Sequence, residues 1–77
     1  MDTTTQRLID LAAKEFNVDS STLSADSDFF SVLKINSFAA LNWLSALENE
    51  FSVEIPDYEL TGVTTFAALA RVIEDHL

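Results

Sequence analysis

Few side chains in this chain are of a type that does chemistry, and their spacing narrows the choice quickly. There is no cysteine. Disulfides, thiolate metal sites and cysteine nucleophiles are therefore excluded. The one histidine, His76, sits on a helix end next to the last residue. It is expected to be solvated there, close to the helix's negative pole. A Ser37–His76 catalytic pair would need that helix end to reach the start of another helix. It would also need an oxyanion hole, for which there is no Gly-rich loop. Asp26-Ser27-Asp28 begins like a calcium loop. Phe30 and Ser31 then occupy positions that need an oxygen ligand and glycine, so no metal site is expected.

What remains is Ser37. It opens the most apolar helical stretch of the chain, directly after a long Ser- and Asp-rich segment. Two roles fit. As a helix cap it would satisfy backbone N–H groups. As an exposed hydroxyl near the positive end of the helix it would suit an attached phosphate.

The elements that must position Ser37 are helical. Gly and Pro occur once each, at Gly62 and Pro56, too few for a turn-punctuated β architecture. A first helix is expected from Thr4 to Phe16. Thr3 and Gln6 are placed for a capping box, Leu8, Ile9, Leu11, Ala12, Ala13 and Phe16 form its apolar face, and Asn17 is the stop. Residues 17–36 form a long connection whose Val18, Leu23, Phe29, Phe30, Val32, Leu33 and Ile35 are expected across the top of the core. A second helix covers Ser37–Phe51, with Asn36 or Ser37 as N-cap. Its buried stripe is expected to be Ala40, Leu44, Leu47 and Phe51, with Trp43 beside it in the core. Pro56 starts a short third helix, with Asp57 capping it or in its first turn, and Gly62 ends it. Thr64 or Thr65 caps a last helix that runs to Leu77. Its inner face is expected to be Phe66, Leu69, Ala70, Ile73 and Leu77. The expected fold is an all-α four-helix bundle with a long first loop and a short third helix, one domain over residues 1–77.

Composition bounds the function. At 77 residues the chain buries only roughly 60% of its unfolded surface, which leaves little room for a deep enzyme cleft. Thirteen acids against four bases give −9. That charge repels nucleic acid and anionic membranes and suits basic protein partners; it also simply aids solubility. No apolar run approaches the ~20 residues of a membrane span. The first residues lack a secretion signal, so a cytoplasmic monomer is expected.

The run Asp26-Ser27-Asp28-Phe29-Phe30-Ser31-Val32-Leu33-Lys34-Ile35-Asn36-Ser37-Phe38 resembles the acyl/peptidyl carrier protein pattern D-x-x-F-F-x-x-L-G-x-D-S-L. The run Ala46-Leu47-Glu48-Asn49-Glu50-Phe51-Ser52-Val53-Glu54-Ile55-Pro56-Asp57 resembles the family's A-L-E-x-x-F-x-I-x-I-P-D, and Thr64-Thr65-Phe66 matches its entry to the last helix. The resemblance covers nearly the whole chain.

It implies a carrier rather than an enzyme. Ser37 would receive 4′-phosphopantetheine from coenzyme A through a phosphodiester, and the arm's thiol would hold an acyl or aminoacyl group as a thioester. With no cysteine in the chain, any thiol on the protein would be the arm's. The implied partners are a phosphopantetheinyl transferase and loading and biosynthetic enzymes with basic docking surfaces. Phe38 and Leu41 would supply apolar contact beside the arm, and Glu48, Glu54 and Asp57, from an acidic run that also holds Glu50 and Glu59, the attraction. Leu44, Leu47, Phe51, Ile55, Leu60, Val63 and Leu69 would line the cargo space, with Phe51 and Trp43 limiting its depth and favouring short or polar cargo.

Two positions depart from the pattern. Asn36 stands where the family has Asp, a carboxylate expected to help the transferase and its Mg²⁺, so modification is expected to be less efficient. Lys34 stands where the family prefers Gly, so the loop is expected to differ locally, since Lys adopts a positive φ less cheaply. Ala39 and Asn42 replace the acids that fatty-acid carriers place early in the helix, which points to specialised acyl, polyketide or aminoacyl chemistry. Phe38 and Glu48-Asn49 resemble D-alanyl and other aminoacyl carriers as much as fatty-acid ones. The rival reading, suggested by Asn36, is an unmodified carrier-like interaction module.

Overall fold

In the computed structural model, which describes residues 3–77 and side chains from Thr4 onward, the first periodic stretch forms α1 (Thr3–Phe16). Leu8, Ile9 and Ala12 are buried, and Leu11, Ala13 and Phe16 pack against the same core. The Thr3 side chain, one half of the expected capping box, lies outside the described side chains. Gln6 runs along the helix, its Nε2 donating to Asp10 Oδ1 at 3.0 Å.

Asn17 ends α1 in the left-handed conformation (φ 55°), and Val18 N–H donates back to Ala13 O at 3.0 Å. This is the six-to-one closure of a Schellman end. The device recurs twice. Lys34 (φ 56°) follows α2 (Phe29–Val32) with Ile35 N–H on Phe30 O, and Ser52 (φ 56°) follows α3 (Ser37–Phe51) with Val53 N–H on Glu48 O. Lys34 thus takes the backbone that glycine adopts at little cost.

The stretch expected to be one long connection is locally organised. Two of its Asp residues, Asp19 and Asp28, are caps. Asp19 Oδ1 accepts from Ser21 N–H (2.9 Å) and Oγ–H (2.8 Å) at the head of a 3₁₀ turn, Ser20–Thr22. Those two donors hold the Asp19 carboxyl below its usual range. Asp28 Oδ1 accepts from Phe30 N–H (2.9 Å) and Ser31 N–H (3.2 Å), which nucleates α2. The segment is tied to the last helix by Phe29 N–H on Thr64 O (2.8 Å) and Ala67 N–H on Ala25 O (3.0 Å). Leu23, Phe29 and Leu33 are buried as expected.

In α3 the buried positions are Ala40, Trp43, Leu47 and Phe51. Trp43 is therefore in the stripe rather than beside it, and Leu44 is only half-buried. The indole is met by Phe16, Phe29 and Phe66 at centroid distances of 6.1, 5.4 and 6.0 Å, all near edge-to-face. Such contacts fix the helix's rotation about its axis.

The third helical piece is a 3₁₀ turn, Asp57–Leu60, rather than an α-helix. Pro56 occupies its cap position and Asp57 its first turn. Gly62 follows with φ 79°. The last helix, α4 (Phe66–Asp75), is capped by Thr65, whose Oγ1 accepts from Ala68 N–H at 3.1 Å. Phe66, Leu69, Ala70 and Ile73 are completely buried. Leu77 is not on the inner face. It lies beyond the helix end and is 71% exposed. The architecture is all-α, with α1, α3 and α4 enclosing one core. Among the described residues no helix is long and apolar enough to cross a membrane.

Candidate functional site

Ser37 is the first residue of α3, and Asn36 is its N-cap, with extended backbone (φ −95°, ψ 178°). Asn36 Oδ1 accepts from Ala39 N–H at 2.9 Å and its carbonyl from Ala40 N–H at 3.0 Å. The N–H groups of Ser37 and Phe38, at the start of the helix, have no place in the helical ladder. Ser37 and Asn36 are both exposed. The first turn of α3 contains no acid, and Asn36 adds none. The positive end of the helix dipole is therefore unopposed beside the Ser37 hydroxyl, which suits a phosphodiester.

Ser37 stands on the lip of a cleft of about 270 Å³. Ala40, Leu41 and Leu44 of α3 form one side, Asp57, Leu60, Thr61 and Val63 the other, and Phe29, Phe30 and Leu69 complete it. Apart from Ser37, Asp57 and Thr61 the lining is apolar. Leu44, Leu60, Val63 and Leu69 were expected there. Leu47 and Phe51 are not part of the lining: both are buried in the core, where Phe51 is covered by the Arg7 guanidinium 4.4 Å from its ring centroid. Ile55 instead lines a smaller neighbouring cleft of about 100 Å³ with Leu41, Leu44, Ser45, Glu48, Asp57 and Leu60. The aromatic residues lining the larger cleft are Phe29 and Phe30, not Phe51 and Trp43. Sequence reading missed these two because α2 was not foreseen; the Asp28 cap before paired phenylalanines was the available signal.

The acids separate into different roles. Glu48 is half-buried and its Oε2 accepts from Ile55 N–H at 2.8 Å. Glu50 lies 3.6 Å from Arg7. Glu59 receives His76 Nε2 at 2.9 and 3.0 Å. His76 is thus partly buried and paired rather than solvated, because the 3₁₀ turn packs beside the end of α4. Glu54 and Asp57 are exposed and make no ion pair among the described residues. Phe38 and Leu41 are 73% and 53% exposed beside Ser37. Tyr58, 77% exposed between Asp57 and Glu59, is a further projecting aromatic that periodicity did not single out. No cluster of potential metal ligands occurs among the described residues.

The family profile described as "Phosphopantetheine attachment site" matches residues 6–73. The chain belongs to this family of carrier proteins. The carrier is 31% identical over 70 residues to the acyl carrier protein of Rickettsia massiliae (strain Mtu5), covering 91% of this chain and 81% of that one. The Rickettsia africae (strain ESF-5) protein gives the same figures, and that of Rickettsia typhi (strain ATCC VR-144 / Wilmington) is 30% identical over the same span. Membership implies a 4′-phosphopantetheine prosthetic group, a carrier role, and dealings with a phosphopantetheinyl transferase and biosynthetic enzymes. The residues present fit such a group. An exposed hydroxyl at an acid-free helix start suits its phosphate, and the cleft beside it is mostly apolar.

Proposed function

We propose that this carrier holds biosynthetic acyl intermediates as thioesters on a 4′-phosphopantetheine arm joined to Ser37 Oγ, and presents them to successive enzymes without catalysing their reactions. The observation that carries this reading is the placement of exposed Ser37 on the lip of the 270 Å³ apolar cleft. An arm rooted there can lay apolar cargo between α3 and the 57–63 segment or swing it out to a partner. Asn36 holds the helix start in shape without bringing a negative charge beside the phosphate.

The apolar lining supports acyl cargo over polar aminoacyl cargo. Leu41 at the cleft and the exposed Phe38 and Tyr58, next in the chain to the lining residues Ser37 and Asp57, act as contact residues, and Glu54 and Asp57 supply long-range attraction to basic partner surfaces. Glu48 contributes charge to the same face while serving a structural bond. The carrier acts as a single-domain monomer in the cytoplasm, where coenzyme A and the transferase are met.

Intact mass after incubation with coenzyme A and a broad-specificity transferase tests the reading. Wild type should gain the prosthetic mass and become reactive to a thiol reagent. Ser37→Ala should fold, gain nothing and stay unreactive. Modification of the Ala variant would overturn the assignment. A wild-type chain that stays unmodified would favour the unmodified interaction module that Asn36 suggests.

A further inference from the structure

One wall of the cleft is much less firmly built than the others. The turn Asp57–Leu60 contains no buried residue, and Pro56 offers it no side-chain cap. Leu60 only partly enters the core. Among the described residues a single polar contact joins this turn to another helix. It is the donation of His76 Nε2 to both carboxylate oxygens of Glu59 at 2.9 and 3.0 Å, with side chains 27% and 29% exposed. His76 caps the C-terminal end of α4. Its backbone N–H closes on Ile73 O at 2.9 Å, and α4 buries four side chains completely. A wall with no buried residue is thus tied to the end of a helix anchored in the core.

The same wall serves two clefts. Asp57 and Leu60 line both the 270 Å³ cleft at Ser37 and the 100 Å³ cleft beside it, facing Leu41 and Leu44 of α3 in each. Outward movement of the turn would widen both at once and join them along α3, lengthening the groove available from Ser37.

We infer that Glu59 and His76 form a latch that sets the length of acyl chain the carrier shelters, by holding the 57–60 turn against α4. The inference rests on the reading of the cleft as the cargo site. Both are positioning residues, since neither lines the cleft. A partly exposed pair of this kind biases a local opening up to about fivefold. That is small against global folding and ample to change how much of a long chain is covered.

Two measurements test it. In the apo protein, hydrogen exchange at residues 57–63 reads the latch, with α1 as the reference for global stability. His76→Ala and Glu59→Ala should each speed exchange there about two- to fivefold relative to α1. The swapped double variant, Glu59→His with His76→Glu, should restore most of the protection, an effect no generic loss of packing would give. In holo protein loaded with saturated acyl chains of increasing length, the rate of thioester cleavage by hydroxylamine reads sheltering. Wild type should shelter chains increasingly up to a limiting length, and the single variants should extend that limit. Unchanged exchange at 57–63 in both single variants overturns the latch, whatever the cargo does. Faster exchange with a wild-type length limit overturns the link to cargo length. Cleavage independent of chain length in wild type would instead remove the cargo reading, and length control with it, while the exchange result still decides the tether.

Discussion

Glu48 reaches seven residues along the chain to accept the N–H of Ile55 at 2.8 Å. The bond spans the left-handed turn at Ser52 and fixes where the chain leaves α3, so an acid that reads as part of a docking face also carries local structure. Glu48→Gln should therefore lower stability by about 1 kcal/mol, the cost of weakening a charge-assisted bond at a half-buried site. Glu54→Gln, on an exposed residue, should stay within about 0.5 kcal/mol of wild type. Urea unfolding of the two variants reads the difference; equal effects would contradict it.

Binding should separate the same residues differently. Glu54→Gln and Asp57→Asn should slow association with the transferase and reduce its dependence on salt, since rim charges act on encounter. Leu41→Ala should instead speed dissociation, by about 1–2 kcal/mol of lost contact. Stopped-flow binding at two salt concentrations distinguishes the two. Leu41 is 53% exposed but lines the clefts, so circular dichroism of the variant must first match wild type.

Asn36→Asp should keep the cap, because either side chain can accept the Ala39 N–H. It would add the carboxylate that the transferase and its metal ion are expected to use. Initial rates of prosthetic mass gain with a generic transferase should rise. Equal rates would show that the carboxylate is dispensable on this helix.

Lys34 holds φ 56°, where a side chain costs roughly 1 kcal/mol that glycine avoids. Lys34→Gly should then stabilise the protein by up to about 1 kcal/mol, offset in part by the greater freedom of glycine in the unfolded chain. A thermal midpoint below wild type would mean that the Lys side chain contributes something the backbone does not reveal.

Trp43 Nε1 is buried with no hydrogen-bond partner among the described residues. An unmet buried donor typically costs roughly 1–3 kcal/mol. Trp43→Phe should accordingly lose less stability than a core aromatic truncation usually does, below about 2 kcal/mol, as the orphaned group goes with the lost volume. A loss as large as the ~3–5 kcal/mol of cutting a core aromatic back to Ala would mean the indole N–H is satisfied by the rings around it.

What the sequence by itself determined is local. Asn36 before an apolar run, Thr65 before Phe66, and Asn17 and Gly62 after their helical stretches specify ends through caps and left-handed turns, which depend on neighbours in the chain. The position of Ser37 at a helix start was legible for the same reason, while the family was legible only from the resemblance of residues 26–38 and 46–57 to the carrier pattern. Rotation of a helix about its axis was not. One residue is 100° of turn, so Trp43 and Leu44 fit an amphipathic pattern almost equally well. The choice fell to the rings of Phe16, Phe29 and Phe66 around Trp43. That choice put Trp43 in the core beside Leu47 and Phe51 and left Leu44 to the cleft. Nor did an acidic composition say which carboxylate would be free. Glu48, Glu50 and Glu59 found partners in Ile55, Arg7 and His76 only because packing brought distant segments together. The pairing of Glu59 with His76, 17 residues apart in the chain, has no signature in periodicity; it exists because the 3₁₀ turn folds back against the end of α4.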